Sequence, residues 1–388
     1  MSVVRIGVAG CGSVSQRGLI PHLVQEDVRQ WCELKAVMDP VPGRAEATAE
    51  KFGVPLWFED YDKMLASEID AVVIASPIGV HYEQAMKAIA AGKHLHLNKT
   101  MTTTKAEADD VIEAAQEAGV KVVASPGRAH RSRTKRIKEI VESGEIGKVY
   151  WAEIGTSFSG HEFEGFREAD DILSNVNPAW YYKRPGGGPM YDMAVYALHT
   201  ITGILGIVKR VTGMSGIGLE ERSFKDQKIE VEMDDNTHLL LDFGDSVFCL
   251  LFASNSYDGP GHAFSVPFIS GSEGGITAGR EGLEIWGRNI EDWRRVEKPG
   301  SDMPFVSGPH LELPERHVYS DIMHMVDCVL NDKEPVISAQ HARHVIEIIE
   351  LGYRAAETGR TQEMTTTFSL GKLTVDLQFT PYESGGQL

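Results

Sequence analysis

Four side chains in this sequence could together move a proton and steady a charged oxygen. Lys99 follows a hydrophobic strand at its carboxyl end, where a parallel sheet presents its ligands. Asp192, Tyr196 and His199 fall at i, i+4 and i+7 in one apolar helical stretch and so share a face. An ammonium, a carboxylate, a phenol and an imidazole are groups suited to acid–base chemistry at an alcohol carbon. Three of them also have a plainer reading: Lys99 a surface lysine, Tyr196 a core tyrosine, His199 a satisfied buried histidine.

A second constellation points to a ligand. The strand 3–9 runs straight into Gly10-Cys11-Gly12-Ser13-Val14-Ser15. Gly10 lets the chain turn sharply off the strand, and Gly12 leaves room for a pyrophosphate against the backbone. The helix that follows, 15–24, points its first amides at the phosphates. Ser15 stands where a third glycine is usual. A second strand, 33–38, ends at Asp39, 27 residues past Gly12, beyond the usual spacing of about 20. The insertion 25–31 accounts for the excess. An acid at this strand end binds a ribose 2′-hydroxyl and repels a 2′-phosphate, which favours NAD; nearby Arg44 keeps NADP open. Gly10, Gly12, Ser13, Val14, Asp39 and Arg44 are therefore expected cofactor contacts, joined by Ser76 and Pro77 at the end of a strand over 70–75.

The elements that must position these groups alternate. Helices over 44–52, 81–91 and 105–118 separate strands over 70–75, 93–97 and 120–124. Repeated βαβ units imply a parallel sheet with helices on both faces. Beyond Pro126 the pattern changes. A helix over 134–143, a strand over 149–156 and an apolar helix over 189–205 come first. Long, regularly spaced strands follow at 208–218, 228–233, 237–243, 246–255, 264–270, 275–278 and 283–286. Helices over 316–330 and 339–359 close the fold, and 362–388 is strand-like, then polar and glycine-rich. The expected fold is an α/β Rossmann domain over 1–125, with a doubly wound parallel sheet, and an α+β domain over 126–388 with a large, mostly antiparallel open sheet. Helices cover one face of such a sheet; a homodimer or homotetramer would cover the other.

Composition bounds the partners. At 388 residues and 42% hydrophobic, the chain has the size of two soluble domains. A net charge of −18 argues against nucleic acid and anionic membranes. Cys11, Cys32, Cys249 and Cys328 are dispersed, which argues against a disulfide framework or zinc site and for a reducing compartment. The apolar window 193–208 is too short for a membrane span. The fingerprint starts ten residues in and leaves no room for a signal peptide, so the cytoplasm is the expected location. His94 and His96 lie in a strand and read as structural. His317, Asp321 and His324 repeat at i, i+4 and i+7 and read as a solvated or interface face in preference to a metal site, and no metal is expected.

Several motifs, in order along residues 3–365, resemble the glucose-fructose oxidoreductase / inositol dehydrogenase / MocA family. They are Gly10-Cys11-Gly12 with Asp39; Asp70-Ala71-Val72-Val73-Ile74-Ala75-Ser76-Pro77 with His81; Ala91-Gly92-Lys93-His94 leading to Asn98-Lys99-Thr100; Ser143-Gly144-Glu145-Ile146-Gly147; Gly186-Gly187-Gly188 with Asp192 and Tyr196; and Ser270-Gly271-Ser272-Glu273-Gly274. At 98–100 the chain departs from the family's usual Glu-Lys-Pro. A carboxylate and a proline able to take a cis bond are gone, and the lysine stays.

The resemblance implies an NAD(P)-dependent oxidoreductase that transfers a hydride between nicotinamide and a secondary hydroxyl or ketone of a sugar, polyol or sugar derivative. It adds His81, Asn98 and Lys99 to the cofactor side and makes Lys99 and Tyr196 the proton-transfer pair. Asp192 would bind substrate hydroxyls or orient Lys99, with His199 in reserve. Burial and the positive nicotinamide are expected to lower the Lys99 pKa, and Lys99 to lower the Tyr196 phenol from about 10. Trp180, Tyr181 and Lys183 are expected at the substrate beside Asp192 and Tyr196, because aromatic faces stack on the C–H face of sugars. Two other readings share the fold: a dinucleotide-binding sensor without catalysis, and a glycoside-cleaving enzyme that oxidises transiently and recycles bound NAD.

Overall fold

The computed structural model describes residues 3–256, 264–279, 281–300 and 303–377. Of the stretch read at 362–388, residues 378–388 lie outside the described residues.

Six strands form the first sheet: β1 (Val4–Ala9), β2 (Cys32–Met38), β3 (Leu56–Phe58), β4 (Ala71–Ile74), β5 (His94–Leu97) and β6 (Val122–Ala124). All pair in parallel, in the order β3-β2-β1-β4-β5-β6. Helices α1 (Ile20–Leu23), α2 (Arg44–Phe52), α3 (Tyr61–Leu65), α4 (His81–Ala90) and α5 (Lys105–Ala118) connect them. Because helices cover both faces, a central strand such as β4 is an unbroken apolar run, every residue buried. Helix α5 starts at a capping box between Thr104 and Glu107 and stops at Gly119 in the left-handed region. Strand order reverses between β1 and β4, so the ligand crevice opens at their carboxyl ends. The short β3 and α3 are too brief to carry a readable period in the sequence.

Beyond α6 (Ser132–Glu142) lies a nine-stranded sheet in the order β16-β15-β14-β13-β7-β12-β11-β8-β17. Its strands are β7 (Val149–Ser157), β8 (Arg210–Gly216), β11 (Asn236–Gly244), β12 (Val247–Ser254), β13 (Phe268–Gly271), β14 (Gly274–Ala278), β15 (Leu283–Gly287), β16 (Arg294–Glu297) and β17 (Gln362–Glu363). Every pairing is antiparallel except β12 on β7. The strand expected at 228–233 is not part of this sheet. β9 (Glu221–Phe224) and β10 (Gln227–Glu230) form a separate hairpin, turned at Lys225 with positive φ, whose apolar side chains pack on Tyr182.

One face of the large sheet is core. In β11, Thr237, Leu239, Leu241 and Phe243 are buried while Asn236, His238 and Leu240 alternate outward. Helix α7 (Val195–Leu205) packs on the inner face. The outer face carries exposed Trp151, Met214, Leu240, Phe248 and Leu250.

The last two helices, α8 (Arg316–Leu330) and α9 (Ala339–Thr358), return to the first sheet. Val318, Tyr319, Ile322 and Val326 of α8 share a core with Ile6, Val8, Val73 and Val123. Ala342 and Ile346 of α9 pack with α5, while Val345 and Ile349 join the core of the large sheet. Asp321 and His324 are thus buried between the two sheets, while His317, at the start of the helix, stays partly exposed. Asp321 accepts hydrogen bonds from Ser125 Oγ (2.7 Å), the Gly127 N–H (2.8 Å) and Arg131 (3.1 Å), and His324 Nε2 accepts the Val336 N–H at 3.1 Å. Among the described residues no three His, Cys, Asp or Glu side chains converge to hold a metal, and no helix is long and apolar enough to cross a membrane.

Candidate active site

The loop after β5 carries the lysine. Asn98 Oδ1 accepts the Lys99 N–H at 2.9 Å, and the Lys99–Thr100 peptide is cis although residue 100 is not proline. Thr100 Oγ1 donates to the Tyr191 carbonyl (2.6 Å), and the Thr100 carbonyl faces His81 Nδ1 (2.8 Å). The loop is fastened on both sides without the family's proline.

Across the cleft, the helix bearing Asp192 opens with a wide π turn over Met190–Ala194 before continuing as α7. Such turns recur at functional sites. The glycine run ahead of it permits a tight approach: a Cβ on Gly187 would sit 2.4 Å from the Lys183 carbonyl, and Gly186 and Gly188 both have positive φ. The π turn aims both the Asp192 side chain and its carbonyl at Lys99. Lys99 Nζ donates to the Asp192 carbonyl (2.6 Å) and to its carboxylate oxygen Oδ1.

The other carboxylate oxygen of Asp192 is taken by a residue the motif reading does not include. His161 Nε2 lies 2.6 Å from Asp192 Oδ2, and His161 Nδ1 lies 3.0 Å from Glu164 Oε2. With a carboxylate oxygen at each ring nitrogen, both nitrogens donate and His161 is an imidazolium. Burial opposes that charge, but Asp192 and Glu164 outweigh it and raise the His161 pKa. Arg167, almost wholly buried, donates to Glu164 at 2.9 Å and extends the chain. The spacing His161, Glu164, Arg167 at i, i+3, i+6 is the one trace of this chain in the sequence.

These pairs overturn the expected pKa of Lys99. Burial does work to lower it, but the adjoining Asp192 carboxylate outweighs burial and the ammonium is held above its ordinary range. Asp192 is correspondingly held below the usual carboxylate range, against burial, by Lys99 and His161. The expectation for Tyr196 is overturned as well. Burial pushes its phenol up to about 12, and Lys99, 5.4 Å from the ring centroid, only partly offsets this. Its hydroxyl pairs instead with His317 Nε2, at 3.1 Å.

A cavity of about 240 Å³ joins these groups to the glycine turn. Ser13, Val14, Ser76, Asn98, Lys99, Trp180, Tyr181, Asp192 and Tyr196 all line it. Two residues expected on the catalytic and substrate side do not. His199 is buried in the core, edge-on to His341 with ring centroids 4.4 Å apart, and its pKa is lowered by burial to about 3. The wide turn shifts the phase of the helix ahead of Val195, so Asp192 and Tyr196 meet in the cleft while His199 rotates inward. Lys183 is held outside by Glu232 (2.7 Å) and Glu230 (3.7 Å) of the hairpin side.

On the cofactor side, His81 is also corrected. It has no exposed surface, and its ring nitrogens each stand 2.8 Å from a carbonyl oxygen, of Ser76 and of Thr100. It is a strut between two loops and has no polar atom left for a ligand. Ser76 Oγ donates to Gln84 (2.6 Å), and exposed Pro77 precedes the turn over Ile78–Val80. Asp39, at the end of β2, accepts the N–H groups of Cys11 (2.9 Å) and Val41 (3.0 Å). Arg44 is spoken for by Asp39 (3.4 Å) and the Ile172 carbonyl (3.1 Å).

The turn fits a dinucleotide. Gly10, at φ +96°, backs onto Ala75, whose carbonyl oxygen a Cβ would meet at 2.8 Å. At Gly12 a Cβ would meet nothing nearer than Val176 at 3.9 Å, so backbone is presented to open space. Ser13 Oγ, buried and lining the cavity, has no hydrogen-bond partner among the described residues. Bare glycine backbone, an orphaned hydroxyl and an acid one strand away are what a pyrophosphate and its ribose require.

Comparison with known proteins agrees with this architecture. Residues 4–125 match the model of an oxidoreductase family with an NAD-binding Rossmann fold, and residues 134–277 match the GFO/IDH/MocA C-terminal domain. A dTDP-3,4-didehydro-2,6-dideoxy-alpha-D-glucose 3-reductase from Streptomyces violaceoruber is 31% identical over 54% of the chain. The chain spans 57% of that relative's length. A scyllo-inositol 2-dehydrogenase (NAD(+)) from Bacillus subtilis is 25% identical over 81% of the chain and 84% of its own length. In fold, the chain resembles a levoglucosan dehydrogenase solved in complex with NADH, with TM-score 0.75 and 17% identity over 94% of this chain and 100% of that one. Fingerprint, strand order and both halves agree, and the chain belongs to the GFO/IDH/MocA family of NAD-binding oxidoreductases.

Proposed function

We propose that the chain is an NAD-dependent dehydrogenase or reductase acting on a secondary hydroxyl or ketone of a sugar, polyol or sugar derivative. Residues 1–125 hold the cofactor and 126–388 most of the substrate. The observation that supports this most directly is the charged Lys99–Asp192 pair beside Tyr196, in a cavity continuous with the glycine turn. Bound NAD supplies the acceptor or donor of a hydride.

The chain's own residues do the rest. Gly10, Gly12, Ser13 and Val14 hold the pyrophosphate, Asp39 the ribose hydroxyls, and Ser76 and Asn98 flank the reactive end. Asp39 and Ile172 keep Arg44 from a 2′-phosphate, which favours NAD over NADP. Lys99 stays protonated and donates a hydrogen bond to the substrate oxygen, steadying it as it gains charge. Asp192, occupied at both oxygens, orients Lys99. The proton passes at Tyr196 Oη, with His317 Nε2 as its partner. Trp180, backed by Tyr181, takes the C–H face of the ring.

A glycoside-cleaving, NAD-retaining enzyme is a second reading, favoured by one observation. The segment 158–177 crosses the cofactor side, with Val176 over Gly12, Ile172 on Arg44 and Phe166 under the Arg17 guanidinium at 4.0 Å. A strap so placed slows cofactor exchange. NADH formation from NAD and a panel of aldoses, polyols and glycosides tests both. Saturable NADH release supports the dehydrogenase. Glycoside turnover without net NADH favours the second reading, and silence on the whole panel with NAD bound would remove both.

We further propose that a second copy covers the outer face of the nine-stranded sheet. The support is its apolar groove of about 770 Å³, lined in part by Met214, Leu240 and Leu250.

A further inference from the structure

We infer that the cleft takes an uncharged saccharide or polyol, and not a sugar acid, a phosphorylated sugar or a nucleotide-linked sugar. This rests on the oxidoreductase reading above and narrows its substrate.

The argument is one of charge already matched. Four cationic side chains line the cleft: Arg17, Lys99, His161 and Arg167. Each is committed to the protein. Lys99 is bound to the Asp192 carboxylate and carbonyl, and His161 lies between Asp192 and Glu164. Arg17 pairs with Glu315 at 3.2 Å. Arg167 donates to Glu164 (2.9 Å) and to the Val176 carbonyl (2.7 Å). The guanidinium faces are covered as well, Arg17 by Phe166 at 4.0 Å and Arg167 by Tyr181 at 5.6 Å.

An entering carboxylate or phosphate would have to strip one of these cations from its partner. That strands a half-buried carboxylate of the same sign as the ligand, and breaking one side of such a pair costs more than the pair contributes. A hydroxyl makes no such demand. It can donate to a spare lone pair of Asp192, Glu164 or Glu315, or accept from Lys99, without breaking an ion pair.

The remaining lining agrees. Phe158, Trp180, Tyr181 and Phe264 supply apolar wall, and Tyr181 is held rigid in it with one ring face on His161 (3.5 Å) and the other on Trp180 (3.8 Å).

The test uses pairs matched in stereochemistry and differing in charge. Methyl glycosides are set against methyl glycuronides, and free hexoses against their 6-phosphates and nucleotide diphosphate forms, across gluco, galacto and manno series. Each is read by NADH formation and by calorimetric binding to the NAD-loaded protein. The neutral member is expected to lead by at least tenfold in kcat/KM or Kd. Tight neutral binding without turnover would retire the oxidoreductase reading while upholding the charge preference. A preferred acid or phosphate, or no neutral saccharide binding or reacting at all, overturns the inference. Glu164→Gln releases Arg167 and His161 from a carboxylate. It should move the acid-to-neutral ratio toward the acid by about tenfold, and an unchanged ratio counts against the charge argument.

Discussion

The phenol oxygen of Tyr196 stands 3.1 Å from Nε2 of His317, a bond that joins the helix on the large sheet to the helix beneath the other one. Burial, with Arg131, Arg128 and Lys99 nearby, lowers the His317 pKa to about 3, so the imidazole is neutral and Nε2 can accept the phenol proton's hydrogen bond.

Tyr196→Phe removes the group proposed to exchange a proton with substrate. Turnover should fall on the order of 10²–10⁴-fold, with NADH affinity within about twofold of wild type by fluorescence titration. His317→Asn acts through Tyr196 and should cost less, while moving the alkaline limb of the pH–rate profile. An unmoved profile would make His317 purely structural.

Lys99→Met leaves Asp192 with His161 as its one cationic partner. Turnover should vanish while NAD binding survives. Unpairing a buried carboxylate costs as much as roughly 3–5 kcal/mol, less here because His161 remains, so a lowered melting temperature should accompany the loss. Near-normal turnover in this variant would sink the proposed role.

Asp39→Ala removes the carboxylate that holds Arg44 and the Cys11 amide. The freed guanidinium then faces a ribose site without a competing acid. The ratio of kcat/KM for NADP to NAD should rise at least tenfold, and an unchanged ratio would remove Asp39 from that site.

Several histidines are buried neutral. Burial lowers His96, His199 and His324 to about 3, and His130 and His344 to about 4. The unfolded chain binds their protons near pH 6.5, the folded chain far lower. Between those values the unfolded state holds more protons, so stability is full above about pH 6.5 and is lost as pH falls toward the folded values. The melting temperature should drop steadily from pH 7 to pH 4.5, and a flat profile would contradict the burial.

The outer face of the nine-stranded sheet gives a further expectation. Paired charges at its apolar positions, Met214→Glu with Leu250→Glu, should convert a dimer or tetramer to monomer in light scattering, leaving the melting temperature of the monomer close to that of wild type. A wild-type protein already monomeric would remove the proposed interface.

The sequence announces the groups that sit inside motifs. Gly10, Gly12 and Asp39 follow strands whose apolar runs are unmistakable, and Lys99 follows another. It conceals what depends on distant partners. Lys99 meets a carboxylate 93 residues away, which reverses the sign of its pKa shift. His161 lies on a three-residue turn, and its i, i+3, i+6 spacing with Glu164 and Arg167 has no meaning until their partners are known. His199 shows a limit of helical spacing, because i and i+7 coincide only at about 3.6 residues per turn, and the turn over Met190–Ala194 is wider. Lys183 lies beside an aromatic run but answers to Glu232, on the hairpin side.

Helix α8 lies beneath the first sheet, and Asp321 on it binds the chain at Ser125 and Gly127, where one sheet gives way to the next. The first 125 residues therefore contain a whole nucleotide-binding topology without containing its floor. A truncation after residue 125 would bare the surfaces that Val318, Tyr319, Ile322 and Val326 occupy. The N-terminal module can be recognised alone, yet its core is completed by a helix that the chain supplies only after β16.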